Sequence, residues 1–223
     1  MTQDTDFIKS ISYFQGLSEE ELGSIKNFLF EKKYERGDII IYEGDEATAL
    51  YFVYSGAVKI FKTSIEGKEQ ILSIGRPGDS FNDVPVFDNG INPASAQAMG
   101  DVSLYELSKN ELNSLIANHP QVALNTVKVL AGQVRRLVTL VEDLSFRNVL
   151  GRVAKILLEN ASEEAGTRPR LTQQEMAAMA GSAREVVGRS LKALEEEGLI
   201  KLNRQRISIV DLQGLREMVE EPV

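Results

Sequence analysis

The period of apolar positions changes three times along the chain. Residues 7–33 carry helical spacing and predict two amphipathic helices, with a start signal at Gly16-Leu17-Ser18-Glu19-Glu20-Glu21-Leu22. From Tyr34 to Ser108 the pattern shortens into alternating runs: Ile39–Tyr42, Leu50–Tyr54, Ala57–Lys62, Gln70–Ile74, Ala94–Ala98 and Val102–Leu107. Turn signals separate them at Arg36-Gly37-Asp38, Glu43-Gly44-Asp45, Ser55-Gly56, Glu66-Gly67 and Pro77-Gly78-Asp79. Short strands at this spacing predict a small antiparallel β-barrel or roll, a form able to enclose one small molecule.

From Pro120 to Ser145 the helical period returns. Val127, Leu130, Val134, Leu137, Val141 and Leu144 alternate at spacings of three and four, which is a coiled-coil seam. Leu124, Val129, Val138 and Leu140 add a second apolar stripe. One stripe is expected on the roll and the other against a second copy, giving a parallel homodimer. A further helix is expected over 147–160, followed by a polar loop at Asn160–Pro169, with Phe146 as the hinge.

Residues 171–192 read as two short helices around a glycine. Leu171, Met176, Ala177 and Ala180 form the apolar face of the first, and Thr172 with Glu175 has capping-box spacing. Ser182 and Glu185 repeat that spacing after Gly181 and predict a second capping box. Val186, Val187, Ser190, Leu191 and Leu194 supply the buried side of the second helix, leaving Arg184, Glu185 and Arg189 to project. A short helix presenting Arg, Glu and Arg near its start fits a major groove. The helix ends at Gly198, and residues 201–210 read as strand, basic turn and strand. These parts make a winged helix-turn-helix whose wing tip, Asn203 and Arg204, is placed against phosphates.

Composition narrows the alternatives. The chain of 223 residues has room for two small domains. With no cysteine, disulfides, thiolate zinc sites and cysteine-ligated iron–sulfur clusters are excluded. The single histidine, His119, precedes Pro120 and reads as a surface or capping residue rather than a haem ligand. No apolar run reaches 18 residues and no signal peptide opens the chain, so a soluble cytoplasmic protein with no membrane contact is expected. No nucleophile–base pair, phosphate loop or metal-ligand cluster is legible, so neither an enzyme nor a cofactor is expected. The net charge of −8 is unevenly spread: from Phe146 onward 12 Lys and Arg balance 12 Asp and Glu, so the whole excess lies before it. Acids in the last part cluster at Glu195–Glu197 and Glu220–Glu221, away from the groove face. A local basic stripe, rather than the global sign, controls phosphate contact.

Taken in order, these parts resemble the CRP/FNR family of bacterial transcription regulators over essentially the whole chain. The resemblance rests on Gly37-Asp38, Gly44-Asp45, Tyr54-Ser55-Gly56, Gly78-Asp79-Ser80-Phe81, Phe146, and Val149-Leu150-Gly151-Arg152-Val153-Ala154. It extends through Thr172-Gln173-Gln174-Glu175 to Arg184-Glu185-Val186-Val187-Gly188-Arg189. It implies an α+β chain: a β-roll sensor domain over 1–118, a dimerisation helix over 119–145, and a winged helix-turn-helix over 146–223. It also implies duplex DNA, a second copy and RNA polymerase as partners. In members similar to the cyclic-AMP receptor protein, an Arg-Glu-x-x-x-Arg triplet reads a TGTGA-like half-site, and Arg184, Glu185 and Arg189 match it in type and spacing. An arginine fork suits guanine O6 and N7, and a glutamate accepts from cytosine N4. Thr172, Gln174, Ser182, Lys192, Asn203 and Arg204 fall to phosphate contact. Ala183 stands where that branch has a phosphate-touching serine.

The sensor side departs from the family. Its cyclic-nucleotide cassette uses Gly-Glu for the ribose and Arg-Ser for the cyclic phosphate, whereas the matching stretch here is Asn82-Asp83 through Pro93-Ala94. Asp83 retains an acceptor for ribose hydroxyls, but the arginine position is Pro93. A buried phosphate without its guanidinium loses charge-assisted bonds of about 1.5–3 kcal/mol each. The polar pair that meets the purine becomes Leu137-Val138. Cyclic AMP is therefore not the expected effector. Phe81, Asn82, Asp83, Pro93, Ala94, Arg135, Leu137 and Val138 are the candidate pocket for another small molecule, with Asn89–Pro93 as a turn-rich flap. Regulation without any effector stays open. The alternative outside DNA binding is a ligand-sensing module that acts through a protein partner.

Overall fold

The computed structural model describes residues 2–160, 171–203 and 206–220. They fall into two compact units, the first comprising residues 1–62 and 73–136 and the second residues 63–72 and 137–223. The division cuts the long helix at 136/137, well before Phe146.

The first unit begins with α1 (Thr2–Ser10), a 3-10 turn at Ser12–Phe14 and α2 (Glu19–Lys26). Ser18 starts α2 through a full capping box with Glu21. Then come β1 (Leu29–Tyr34), β2 (Ile39–Ile41), β3 (Ala49–Ser55), β4 (Val58–Thr63), β5 (Glu69–Gly75), β6 (Ser80–Phe81), α3 (Asp83–Asp88), β7 (Ser95–Ala98) and β8 (Val102–Ser108). The strands form two antiparallel sheets, ordered β1-β8-β3-β6 and β2-β7-β4-β5. Leu107 opposes both Leu29 and Leu50 in register, which gives that end of the sheet an apolar face. On it pack Ile8, Ile11, Phe14, Leu22 and Ile25 from the N-terminal elements. Gly56 has φ +83°, and a Cβ there would lie 2.4 Å from the Asp101 carbonyl, so the β3–β4 turn admits only glycine. α4 (Lys109–Asn118) follows β8 through a second capping box, Ser108 with Glu111, and leads into α5 (Pro120–Phe146).

The six strands anticipated from alternation are all present within a residue or two at their ends. Residues 29–33, expected to be helical, instead form most of β1. β1 is an edge strand paired only with β8 and exposes four of its six residues, so its Glu-Lys-Lys stretch carries helix-like polarity without an alternating signature. Lys32 pairs with Glu106 at 3.8 Å, and Glu31 accepts from Ser103 at 2.7 Å. The segment at 89–93 is not a free flap. It follows α3, a single helical stretch flanked by Asn82 and Asn89 in left-handed conformation. The amide of Asn92 donates to the Asp45 carbonyl, the Gly44 amide donates to the Asn92 carbonyl, and Lys62 donates to the Pro93 carbonyl at 3.1 Å.

The second unit contains residues 63–72, which include the first part of β5, the end of α5 and then α6 (Val149–Asn160), α7 (Gln173–Ala180), α8 (Arg184–Glu196), β9 (Ile200–Asn203), β10 (Arg206–Ile209) and α9 (Leu212–Glu220). Val153, Ala154, Met176, Val187, Leu191 and Leu215 form its fully buried core. β9 and β10 pair antiparallel with Leu202 opposite Ile207. The expected polar loop lies outside the described residues beyond Asn160, as does Arg204 of the wing tip.

Candidate nucleic-acid interface

Thr172 begins α7 with the anticipated capping box: its hydroxyl accepts from the Glu175 amide at 3.1 Å, and Glu175 accepts from the Thr172 amide at 2.6 Å. Gly181 ends the helix in left-handed conformation, and the Ser182 amide donates to the Ala177 carbonyl at 3.0 Å. A Cβ on Gly181 would meet Leu144 Cδ2 at 2.8 Å. The turn between the two helices therefore favours glycine for its conformation, while the Leu144 side-chain end could shift aside.

The expected second capping box is absent. Ala183 is the N-cap of α8, one residue beyond Ser182, and gives no side-chain hydrogen bond. Ser182 had the right spacing to Glu185, but its amide is used to close α7, so helix geometry starts later. The first N–H groups of α8 thus carry no side-chain cap and form the positive end of the helix dipole, which suits an anion.

On α8, Val187, Ser190, Leu191 and Leu194 are buried, while Arg184, Glu185, Arg189 and Lys192 are exposed. Positions 184, 185, 189 and 192 recur at spacings that share one helix face. Among the described residues none of these four side chains makes an ion pair within 4.0 Å, so the charge they carry is available to an outside partner. Thr172 and Gln174 are exposed at the start of α7, Ser182 is half-buried, and Asn203 is exposed at the end of β9. All of these candidates lie in the second unit.

α5 carries the anticipated stripe. Val122, Asn125 and Thr126 are buried, and Val129 packs on the first unit's core. Leu124 and Val138, expected on the roll-facing stripe, are instead exposed. Along the seam Val127, Val134 and Val141 remain about 60% exposed, Leu137 50% and Leu144 37%, while Leu130 is half-buried. Such a row of solvent-facing valines and leucines on one helix is costly for a lone chain.

The candidate effector residues divide between the two units. Asp83 is 3% exposed and both its oxygens are occupied: Oδ1 accepts from the Tyr13 hydroxyl and from Ser80 at 2.7 Å, and Oδ2 accepts from Gln133 at 2.8 Å. Burial, and after it the charge of Asp83, pushes the Tyr13 hydroxyl far above the usual phenol range. Phe81 is buried and stacks on Tyr51, with ring centroids 5.2 Å apart; burial pushes the Tyr51 hydroxyl up to about 12. Asn82 donates to the Ala49 carbonyl at 3.0 Å. Pro93 and Arg135 are exposed, Ala94 is half-buried, and Leu137 and Val138 belong to the second unit with half or more of their surface exposed. His119 is the C-cap of α4 and lies 3.0 Å from Glu21, a capping role in line with its sequence reading. Tyr13, Gln133 and Asn125, which ties α5 to the carbonyls of Tyr13 and Gln15, had no legible signal in the sequence because their partners lie far away along the chain.

Among the described residues no helix is long and apolar enough to cross a membrane. A model of the cyclic nucleotide-binding domain matches residues 31–119, and one of the Crp-like helix-turn-helix domain matches residues 151–218. The cyclic AMP receptor protein of Thermus thermophilus is 34% identical over 211 residues, covering 95% of this chain and 98% of that protein. A CRP-like cAMP-activated global transcriptional regulator of Mycobacterium tuberculosis is 32% identical over 209 residues, covering 91% and 93%. The structure of FixK2 from Bradyrhizobium japonicum aligns with a TM-score of 0.77 at 25% identity over 87% of this chain and 99% of that one. These relatives are regulators rather than enzymes. With its antiparallel sheets, long helix and helix-turn-helix, the chain belongs to the CRP/FNR family of DNA-binding transcription regulators.

Proposed function

We propose that the protein acts as a homodimer whose two α8 helices read a TGTGA-like palindromic operator in successive major grooves. The observation that carries this reading is the outward set of Arg184, Glu185 and Arg189 on a helix whose opposite face is fully buried. Arg184 and Arg189 are assigned to guanine edges and Glu185 to a cytosine amino group. Thr172, Gln174, Ser182, Lys192, Asn203 and Arg204 are assigned to phosphates, and RNA polymerase is the expected downstream partner. The exposed seam of α5 supports pairing of two chains along Val127, Leu130, Val134, Leu137, Val141 and Leu144.

The effector, if one acts, is proposed to be other than a cyclic nucleotide. Asp83, the one remaining ribose acceptor, has its oxygens engaged by Tyr13, Ser80 and Gln133. The position of the phosphate-binding arginine is Pro93, which has no donor on side chain or backbone nitrogen. Relatives named as cAMP-activated make the comparison direct. Gel shift of the full chain on a TGTGA-N6-TCACA duplex and on a scrambled duplex, each with and without cyclic AMP, tests both parts. Preference for the operator, unchanged by the nucleotide, is the expected result. Equal affinity for the scrambled duplex overturns the readout, and a cyclic-AMP-dependent gain overturns the effector assignment. Native mass spectrometry of the same preparation checks the dimer.

A further inference from the structure

Three cations that face inward distinguish the reading unit from an ordinary basic DNA-binding surface. Asp143, near the end of α5, has a side chain 13% exposed. Its Oδ1 accepts from Arg147 Nε at 2.7 Å, and its Oδ2 pairs with Lys155 of α6. The side chains of Arg147 and Lys155 are 28% and 20% exposed. Arg147 also donates to the Val219 carbonyl in α9. Arg152 donates to the carbonyls of Asp143 and Arg147, and through Nε to the Ala180 carbonyl at 2.8 Å. Ala180 is the last residue of α7, immediately before the Gly181 turn that aims α8. The carboxylate of Asp143 thus ties α5 to α6 through Lys155 and to α9 through Arg147, and Arg152, held on the backbone carbonyls of Asp143 and Arg147, reaches the turn of the helix-turn-helix.

A net-neutral domain that needs phosphate contacts has placed three of its cations where phosphates cannot use them. Ion pairs this sheltered are screened less than surface pairs, and loss of the Asp143 carboxylate takes the ion-pair partner from two half-buried cations, Arg147 and Lys155. We infer that Asp143 is a positioning residue for DNA recognition: with Arg147, Arg152 and Lys155 it locks the last turns of α5 to the helices that hold α8, so the reading helix keeps a fixed direction relative to the end of α5. This rests on the proposed dimeric reading, in which that direction sets the distance between the two heads.

Fluorescence anisotropy of full-length wild type, Asp143→Asn and Asp143→Glu on operator duplexes tests this, using the six-base-pair spacer and spacers one base pair shorter and longer. Wild type is expected to bind one spacing strongly and the others poorly. Asp143→Asn is expected to bind the preferred spacing roughly tenfold more weakly, as loss of a charged hydrogen bond allows. It should also lose much of its discrimination among spacings, while binding to scrambled DNA stays unchanged. Asp143→Glu, which keeps the anion, should restore most of the spacing preference. A purely structural role would lower all affinities together without widening the spacing profile. An Asp143→Asn protein with the wild-type profile overturns the inference. Absence of operator preference in the wild type itself overturns the underlying DNA reading, and is told apart because it needs no substitution. Should circular dichroism show Asp143→Asn unfolded, Lys155→Met, which removes one arm and leaves Arg147 in place, is expected to give the same widening, and an unwidened profile there counts against the inference.

Discussion

Two sheltered carboxylates, one in each unit, are satisfied in opposite ways. Asp83 in the first unit is held by neutral donors from Tyr13, Ser80 and Gln133. Asp143 in the second is held by the cations of Arg147 and Lys155. The neighbour of the Asp83 carboxylate is affected too: burial first, and Asp83 after it, drive the Tyr13 hydroxyl far above the usual phenol range. A carboxylate among cations is balanced where it stands, by Arg147 and Lys155, while Arg184 and Arg189 on α8 lie outward. The contrast separates a cluster of neutral donors in the first unit from an electrostatic clamp in the second.

Replacing Asp83 by Ala removes the acceptor of three buried or half-buried donors at once. It should lower the stability of the folded chain by about 3 kcal/mol, each stranded donor contributing roughly 1 kcal/mol or more. Denaturant unfolding followed by circular dichroism measures this, and a loss below about 1 kcal/mol means the donors find water without penalty. Asp143→Ala is expected to cost less, about 2 kcal/mol, because Arg147 and Lys155 retain partial access to solvent. The two should part in salt: molar sodium chloride is expected to shrink the Asp143 effect in part, less than for a surface pair, and to leave the Asp83 effect nearly unchanged. Equal salt responses would erase the distinction between neutral and charged partners.

A smaller effect follows from Tyr13. Its folded-state ionisation is raised, so the unfolded chain deprotonates first as pH climbs past about 10, the ordinary tyrosine value. The stability this contributes is complete below that pH and is lost above it. Tyr13→Phe is expected to flatten the alkaline limb of stability measured between pH 8 and 11, leaving a residual slope from Tyr51. An unchanged limb would remove Tyr13 from the account.

What the sequence disclosed follows from the reach of each interaction. Strands such as Leu50–Tyr54 and the helix from Pro120 announce themselves because their alternation or heptad spacing is local, and the same holds for the Thr172–Glu175 cap. Edge strand β1 did not, since half its pattern is written in pairing with β8 rather than in its own residues. The outward triplet on α8 was legible because one buried face defines the other. Ser182 had the letters of a cap without the geometry, as its amide was already committed to Ala177. Asp83 was legible as a candidate acceptor but not as an occupied one, because Tyr13 and Gln133 arrive from 70 and 50 residues away. Asp143 gave no sign, since its meaning comes only from the helices folded around it.

The central claim is that Arg184 reads a guanine. A double-mutant cycle tests it most directly, combining Arg184→Ala with replacement of each operator guanine in turn and measuring affinity at fixed salt. A coupling of about 1–3 kcal/mol at one guanine, with strictly additive losses elsewhere, is the predicted result. Additivity at every guanine would contradict it.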